Sequence, residues 1–359
     1  MSKLDEARST VNRIDAEIAR LFEERLAAVG DILAYKRENR LPVFDAAREQ
    51  QVIEKNLALL QNEELKPYYR QFIQSFMDIC KDYQRAELKQ NTVAFAGAEG
   101  AFASQAAHSL FPNYTCNICE DFEQVFLQVI NGEAAFGVIP FENSYAGEVG
   151  EVFDLLFKYS CHIQGIWDLP IRQNLLTLPG VKLSEVQTVL SHPQALNQCA
   201  RFLQDNGLKT TAYANTALAA QYVAETQDPS LAAIASAESA ELYGLNLLVA
   251  DINSSTANTT RFIVIGQDLP LTGSRFNLLF TVNHHAGQLA RVMSLIGDLG
   301  FNMESIKSRP MKDIPWQYYF YVEIEGSLQD EATQNLLQAL KTNCDTLKIL
   351  GSYDLQQIK

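Results

Sequence analysis

Glycine is nearly absent from the first ninety residues of this 359-residue chain, which carry Gly30 alone of its 18 glycines. Within this stretch, three cations, Arg8, Arg25 and Lys36, lie on one face of a predicted helix that is otherwise apolar. Burying an unpaired cation costs several kcal/mol, so the pattern predicts a bound anion. The alternative is that the long side chains snorkel and their heads reach water or a Glu. The apolar residues recur every three or four positions on this one helix face: Leu4, Val11, Ile14, Ile18, Phe22, Val29 and Ile32.

The same stretch is typical of three helices. The first is predicted from Leu4 to Glu38, a length of roughly 50 Å. Pro42 ends the pattern, Asp45 is the expected N-cap of the second helix, and Pro67 opens the third. A helix this long cannot bury its whole apolar face against two shorter helices of its own chain. We therefore expect dimerisation through this segment.

The polar segment 86–91 is the predicted linker to an α/β region. Beyond it, short buried runs at 93–96, 136–139, 189–190, 232–235 and 262–265 alternate with helical stretches. Polar clusters lie at the ends of these runs, at 97–104, 140–144, 191–194 and 258–261. In open α/β sheets, ligands bind at strand ends, where helix N-termini offer N–H groups to anions. Taken singly, the clusters are also explained as helix caps.

The last 85 residues or so follow a βαββαβ order, which is typical of a ferredoxin-like fold. The α/β pattern ends near residues 270–274, and four further strands are predicted after it. They span 276–282, 302–308, 316–324 and 348–353, with helices at 287–299 and from 328.

Bulk composition excludes several classes of protein. The formal net charge of -14 argues against a nucleic-acid partner. The N-terminus has no apolar signal core and no apolar run approaches a membrane span, so no membrane association is expected. Six cysteines in a chain of this length make no disulfide framework, and the lone CxxC of Cys116 and Cys119 lacks the second pair of a zinc site. We expect a cytoplasmic protein without metal or cofactor.

The helical segment carries cations, one amide donor and one carboxylate, but no nucleophile with a base. Such a set suits a reaction in which a dianion is bound and folded while charge is stabilised at one oxygen. The residues of this set and its surroundings are Arg8, Arg25, Lys36, Asp45, Arg48, Glu49 and Gln84. With these residues at these positions, the segment resembles the all-helical chorismate mutases.

The resemblance implies how chorismate is bound. Arg25 and Arg48, with Arg8 from the other subunit, would hold its two carboxylates. Lys36 and Gln84 would meet the ether oxygen, where negative charge grows during the pericyclic shift. Glu49 would take the ring hydroxyl, and Cys80, where the family often has Ser, would line the pocket together with Asp45.

A polar pair, one member of which is charged, leads directly into a buried strand at Thr260-Arg261-Phe262. With the other clusters it resembles the prephenate dehydratases, as the second half of a bifunctional chorismate mutase–prephenate dehydratase. The resemblance implies a two-lobed α/β domain of the periplasmic-binding-protein type. Thr260 would assist departure of the ring hydroxyl as carbon dioxide leaves, and Arg261 would anchor the substrate. The role of Gln173, where many relatives carry His, stays open. The implied cleft residues are Glu142, Asn143, Ser144, Ser191, Gln194 and Thr216.

The C-terminal region resembles an ACT domain, a module that binds amino acids at subunit interfaces. Its loop before the first helix matches at Gly287-Gln288-Leu289, and Ser308-Arg309-Pro310 matches most of a Glu-Ser-Arg-Pro motif associated with phenylalanine. Lys307 replaces the Glu of that motif. The alternative is a structural dimerisation domain that binds nothing. The expected phenylalanine-binding residues are Gly287, Leu289, Asn302, Ser308 and Arg309.

These resemblances predict a multidomain enzyme of phenylalanine biosynthesis. A helical mutase domain would span 1–90, a dehydratase domain 91–268 and an α+β regulatory domain 275–359. The chain would convert chorismate to prephenate and prephenate to phenylpyruvate, with feedback regulation by phenylalanine. Two alternatives remain open: a non-enzymatic anion or amino-acid sensor, and an enzyme with only one of the activities. Dimer and tetramer are equally open.

Overall fold

The computed structural model describes residues 2–38, 46–255, 257–312 and 314–358. The side chains of 36–38, 46–50, 81–82, 84–90 and 357 lie outside this description. The chain divides into two compact units, Met1–Gln90 (unit 1) and Asn91–Lys359 (unit 2). In the described part, no helix is both long and apolar enough to cross a membrane.

Unit 1 is helical, as predicted. Helix α1 spans Lys3–Glu38, α2 Ala46–Leu57 and α3 Lys66–Gln90, with a 3-10 turn at Glu63–Leu65. The expected N-cap Asp45 lies outside the described residues. The predicted linker at 86–91 is wrong, because α3 continues through Gln90. Its last five residues are Ala, Glu, Leu, Lys and Gln, all strong helix formers, so polarity alone did not end the helix.

The core of unit 1 is small. Ile53, Leu57 and Ile73 form its buried cluster, and Phe22 stacks on Phe76 with ring centroids 5.5 Å apart. Most of the predicted apolar face of α1 is instead exposed. An exposed face of this size is typical of an interaction surface. The exposed members of the predicted face are Leu4, Val11, Ile14, Ile18 and Ile32, and Leu21 of the same helix is exposed as well.

Unit 2 confirms the α/β and βαββαβ predictions. Every predicted buried run lies in a strand, and each predicted C-terminal element is present within a few residues. The strands are β1 Thr92–Ala96, β2 Thr115–Cys119, β3 Phe136–Asn143, β4 Gly147–Glu148, β5 His162–Pro170, β6 Asn174–Thr177, β7 Thr188–Ser191, β8 Lys209–Ala212, β9 Leu231–Ala235, β10 Asn246–Val249, β11 Thr259–Gly266, β12 Arg275–Thr281, β13 Met303–Pro310, β14 Tyr318–Glu325, β15 Thr346–Tyr353 and β16 Leu355–Gln357. The helices are α4 Phe102–Leu110, α5 Phe122–Ile130, α6 Gly150–Lys158, α7 Pro193–Gln198, α8 Ala200–Asp205, α9 Thr216–Thr226, α10 Ala237–Tyr243, α11 Gln288–Asp298 and α12 Glu331–Asn343.

Three sheets organise unit 2. The first lobe has the order β16-β5-β11-β3-β1-β2, with β4 paired to β3, and the second lobe has β10-β6-β9-β7-β8. The chain enters the second lobe after β5 and returns at β11, so two connections join the lobes. A third sheet, β13-β14-β12-β15, is antiparallel throughout and carries α11 and α12 on one side. This is the predicted ferredoxin-like domain.

The C-terminal domain and the first lobe share one core. Tyr321 packs edge-on against Phe153 with centroids 5.1 Å apart, and Tyr319 stacks on Phe157 at 4.5 Å. The last strand, β16, leaves the C-terminal domain and pairs in parallel with β5 of the first lobe. Sequence periodicity did not indicate β16, because a strand of three residues has no measurable period.

Candidate functional site

A β-bulge in the first lobe sets the geometry of the predicted dehydratase residues. Strands β3 and β11 are antiparallel, with Thr260 opposite Asn143 and Arg261 opposite Glu142, and the register then shifts. The shift leaves Phe141 as an extra residue in β3. Side chains alternate between faces, and a bulge re-aims them. Asn143 therefore shares a face with Thr260, while Glu142 and Arg261 share the other.

Asn143 is buried and holds the Thr260 hydroxyl in one orientation. Its Oδ1 accepts hydrogen bonds from the backbone N–H groups of Tyr145 and Ala146 at 3.0 and 2.9 Å, which fixes the amide. Its Nδ2 then donates to Thr260 Oγ1 at 2.9 Å and to Asn258 Oδ1 at 2.9 Å. Because Thr260 Oγ1 accepts this bond, its own proton is available for another acceptor.

A pocket of about 280 Å³ lies between the two lobes beside this pair. Of the predicted residues, Asn143 and Thr260 line it from the first lobe, and Gln194 and Thr216 from the second. The volume suits a small molecule. The other lining residues are Ala101, Phe102, Ala103, Pro140, Ile171, Gln173, His192, Ala195, Gln198, Asn215 and Phe262.

The first turns of two helices, α4 and α9, border this pocket. None of its described lining residues is a lysine or an arginine. Phe102 and Ala103 belong to the first turn of α4, whose N-cap Ala101 makes no side-chain capping bond. Thr216 opens α9, where Asn215 caps one N–H only, that of Leu218, at 2.7 Å. Free N–H groups at helix N-termini bind anions such as carboxylates.

Two buried amides complete the second-lobe wall. Gln173 Nε2 donates to Gln198 Oε1 at 3.3 Å, and Gln173 Oε1 has no hydrogen-bond partner among the described atoms. A buried acceptor without a partner costs about 1–3 kcal/mol. Gln198 was missed in the sequence, although it follows Gln194 by four residues and thus shares its helix face.

The two predicted serines bond to backbone beside the pocket. Ser191 is buried and its Oγ donates to Ile234 O at 2.6 Å. Ser144 Oγ donates to Ala257 O at 2.9 Å and accepts from the backbone N–H of Thr259 at 3.0 Å. Ser191 therefore ties β7 to β9, and Ser144 ties the end of β3 to the segment before β11.

Glu142 and Arg261 lie on the opposite face of the sheet. Arg261 Nε donates to Asp168 Oδ1 at 3.1 Å, and its Nη1 is 3.7 Å from Glu142 Oε2. Lys307 of the C-terminal domain donates to Glu142 Oε1 at 2.9 Å. The structure thus brings this predicted pair together but separates it from the pocket that Thr260 lines.

In unit 1, the structure brings Arg25 and Cys80 together. The guanidinium donates to Cys80 Sγ at 2.6 Å and to Met77 Sδ at 3.2 Å, and it lies 4.4 Å from the centroid of the Phe76 ring. Among the described side chains no carboxylate pairs with it, so its charge stays available. A cavity of about 750 Å³ adjoins it.

The remaining predicted mutase residues are distributed over all three helices. Arg8 is exposed on α1. The backbone positions of Lys36 on α1, Arg48 and Glu49 on α2 and Gln84 on α3 are described, but their side chains are not. Asp45 lies outside the described residues altogether. The geometry of these five residues toward a ligand therefore stays a prediction.

The predicted phenylalanine-binding residues lie at two ends of the C-terminal domain. Gly287 caps α11 with φ +84°, a conformation that favours glycine. Asn302 Nδ2, just before β13, donates to Glu304 and Glu325 at 3.1 Å each. At the far end of β13, Arg309 donates to Asp154 of α6 at 3.1 and 3.3 Å. Leu289 is half-buried and Ser308 is exposed.

Cys116 and Cys119 lie on β2. Burial raises the pKa of each thiol to about 11, with nearby carboxylates adding to the effect. Both are therefore neutral at physiological pH, which disfavours metal binding and thiolate chemistry.

Comparison with known proteins covers almost the whole chain. Residues 7–85 match chorismate mutase type II, residues 93–269 match prephenate dehydratase, and residues 276–342 match the ACT domain. A bifunctional chorismate mutase/prephenate dehydratase of Aquifex aeolicus is 33% identical and the match covers 98% of each chain.

Solved structures resemble unit 2. The prephenate dehydratase of Arthrobacter aurescens, in complex with L-Phe, is 28% identical with a TM-score of 0.68 and covers 73% of this chain and 90% of its own. GqqA, a quorum quenching acylase, is 30% identical with a TM-score of 0.68 and covers 73% and 97%. The three matched domains and the full-length relative agree. The chain belongs to the bifunctional chorismate mutase/prephenate dehydratase family, whose members carry both steps from chorismate toward phenylalanine in one polypeptide.

Proposed function

We propose that the pocket between the lobes binds prephenate and that Thr260 donates a hydrogen bond to its departing ring hydroxyl. The observation that supports this is the bond from Asn143 Nδ2 to Thr260 Oγ1, which leaves the threonine proton free to point to a ligand. A threonine is too weak an acid to protonate the leaving group fully. Its contribution is orientation and stabilisation of the negative charge that develops on the leaving oxygen.

The substrate carboxylates lie at the first turns of α4 and α9. The protein is acidic, and the described lining of the pocket holds no lysine or arginine, so a bound dianion needs another source of positive potential, which these N–H groups supply. As carbon dioxide and the hydroxyl leave together, the ring becomes aromatic, and this supplies most of the driving force. Gln173 Oε1 accepts a hydrogen bond from the ligand.

Unit 1 rearranges chorismate to prephenate in a homodimer. Arg25, whose only described polar contacts are two sulfur atoms, binds a substrate carboxylate together with Arg48, and Arg8 reaches in from the other subunit. Lys36 and Gln84 stabilise the ether oxygen. The exposed apolar face of α1 supports the dimer, because a second copy would cover it. The domains span 1–90, 91–268 and 275–359.

Phenylalanine is the effector of the C-terminal domain and binds at a subunit interface, near Gly287 and Leu289 of one chain and Asn302 of the other. The L-Phe complex of the Arthrobacter relative supports this assignment. Inhibition requires that phenylalanine bind one state of the enzyme more tightly than another. Titration calorimetry should detect heat at millimolar phenylalanine and the dehydratase rate should fall. Absence of both would refute the assignment.

The compartment is the cytoplasm. All six cysteines are free thiols, which supports a reducing environment. No disulfide therefore contributes to the stability of the chain.

The test of the whole assignment is a time course with purified protein and chorismate, with products resolved by chromatography. Phenylpyruvate should accumulate after a transient of prephenate. Accumulation of prephenate alone would contradict the assignment of the pocket in unit 2. Unchanged chorismate, with prephenate still consumed when added directly, would contradict the assignment of unit 1.

A further inference from the structure

The C-terminal domain contacts the dehydratase lobe through a lysine that departs from the expected motif. Lys307 lies on β13, donates to Glu142 Oε1 at 2.9 Å and lies 3.9 Å from Glu148 Oε2. Its side chain is 26% exposed and that of Glu142 is 28% exposed. The pair is thus partly shielded from water, and its attraction exceeds that of a fully exposed pair.

This contact continues into the first lobe as a chain of alternating charges. Glu142 Oε2 lies 3.7 Å from Arg261 Nη1, and Arg261 Nε donates to Asp168 Oδ1 at 3.1 Å. Lys307, Glu142, Arg261 and Asp168 form this ion chain, with two positive and two negative groups. It therefore links a strand of the C-terminal domain to strands β3, β11 and β5.

The ion chain lies directly behind the dehydratase pair. Glu142 precedes Asn143, and Arg261 follows Thr260, so each pocket residue has an ion-chain residue as its chain neighbour on the opposite face. The β3 bulge occurs at this point, and a bulged strand can change register locally. A fixed Glu142 side chain therefore also fixes the direction in which Asn143 points.

We propose that Lys307 is a positioning residue for the dehydratase reaction. By holding Glu142 at the bulge, it keeps Asn143 bonded to Thr260 and the threonine proton directed into the pocket. The inference rests on the proposed role of Thr260. It also gives a position in the C-terminal domain a direct effect on the chemical step, because any displacement of β13 moves the partner of Glu142.

The test compares Lys307→Met with Lys312→Met in the full-length protein. Lys312 is a matched control, because it joins the same two domains through Asp154, at 3.1 Å, without touching the ion chain. With prephenate as substrate, Lys307→Met should lower kcat about tenfold with KM within twofold, since binding at the helix ends is untouched. Lys307→Arg, which keeps the charge, should recover most of the rate. The mutase rate should not change in any of the three.

A double variant with Thr260→Ala separates this proposal from the function on which it rests. If Lys307 acts through Thr260, adding Lys307→Met to Thr260→Ala should lower the rate no further. Full dehydratase rate in Thr260→Ala alone would refute the role of the threonine. The role of Lys307 is refuted by wild-type kcat in Lys307→Met, by an equal loss in Lys312→Met, or by losses that multiply in the double variant.

Discussion

Unit 1 and unit 2 complete their cores in different ways. Unit 1 leaves the apolar face of α1 exposed; the side chain of Ile18, near its middle, is 49% exposed. In unit 2, the first lobe and the C-terminal domain share one core that includes Phe153, Tyr319 and Tyr321. A long helix cannot fold back on itself, whereas strands from distant parts of a chain can join one sheet. The difference supports the proposed dimer, because the apolar face of α1 is left for a second chain to cover, whereas the first lobe and the C-terminal domain of unit 2 fill a core within one chain.

Substitution of a single proposed catalytic residue should abolish most of one activity and leave the other unchanged. Lys36→Ala should lower the mutase rate by roughly 10²–10³-fold, the effect of removing one donor to a developing oxyanion. The rate with prephenate should stay at the wild-type value, because unit 2 carries its own site. Stopped-time assays with each substrate measure both, and Lys3→Ala on the same helix is the control. Wild-type mutase turnover would show that Lys36 is not the donor.

Thr260→Ala is the reciprocal change. It should lower the dehydratase kcat about 10²-fold, because the leaving hydroxyl loses its hydrogen bond, and should leave the mutase rate unchanged. Thr260→Ser keeps the hydroxyl that Asn143 orients and should retain most of the activity. A serine variant as slow as the alanine variant would show that the methyl group of Thr260, and not its hydroxyl, supports the dehydratase rate.

A charge on the apolar face of α1 tests whether unit 1 needs a partner. Ile18→Lys should weaken self-association at least about tenfold, because an unpaired ammonium would be buried at the interface. Mutase activity should fall with association, since in the proposed dimer Arg8 would be contributed by the other subunit, and dehydratase activity should persist. Light scattering after size exclusion measures the mass, and Glu17→Gln, a neighbouring exposed position, is the control. A mass unchanged on dilution in both proteins would place the interface elsewhere.

A smaller effect is expected at the contact between the first lobe and the C-terminal domain. Although burial acts to raise it, hydrogen bonds from Arg309, Tyr319 and Lys312 hold the pKa of Asp154 below its ordinary value. Asp154→Asn should lower the free energy of unfolding by about 1.5–3 kcal/mol at neutral pH, the usual loss for a hydrogen bond to a charged group.

The stabilisation by Asp154 should depend on pH, and the direction of its pKa shift sets the sign of that dependence. A depressed carboxyl pKa contributes stability above the unfolded-state value of about 3.9, and this stability is lost as pH falls through the folded-state value. The difference between wild type and Asp154→Asn should therefore be constant from pH 6 to 8 and shrink below about pH 4. Denaturant melts at several pH values measure it. Asp205→Asn, at an exposed pair with Arg201, should change little.

The secondary structure of both units was largely predictable because each element has a strong local signal. The 3.6-residue period located α1, and buried runs of four residues located β1, β9 and β11. The same reasoning failed at 86–91, where helix propensity continued through a polar segment, and at β16, which forms only because β5 offers it an open edge.

The sequence predicted a list of residues for the dehydratase site, but not that they lie on two opposite faces of one sheet. The sequence places Glu142 beside Asn143 and Thr260 beside Arg261, and it gives no sign of the bulge that directs them to opposite faces. Gln198 lay one helical turn from a predicted residue and was still missed. Which polar residue meets the pocket depends on strand register, and register depends on contacts between segments more than a hundred residues apart.

The order of the three domains, their fold classes and the residues that carry the family resemblance could all be read from the sequence. All of these depend on local period or on short motifs. Three contacts appear only in the folded chain: Asn143 bonds to Thr260, Glu142 and Arg261 belong to an ion chain, and Lys307 has a partner in the dehydratase lobe. Hydrogen bonds and ion pairs act over about 3–4 Å in space, whereas a sequence pattern reports only neighbours along the chain.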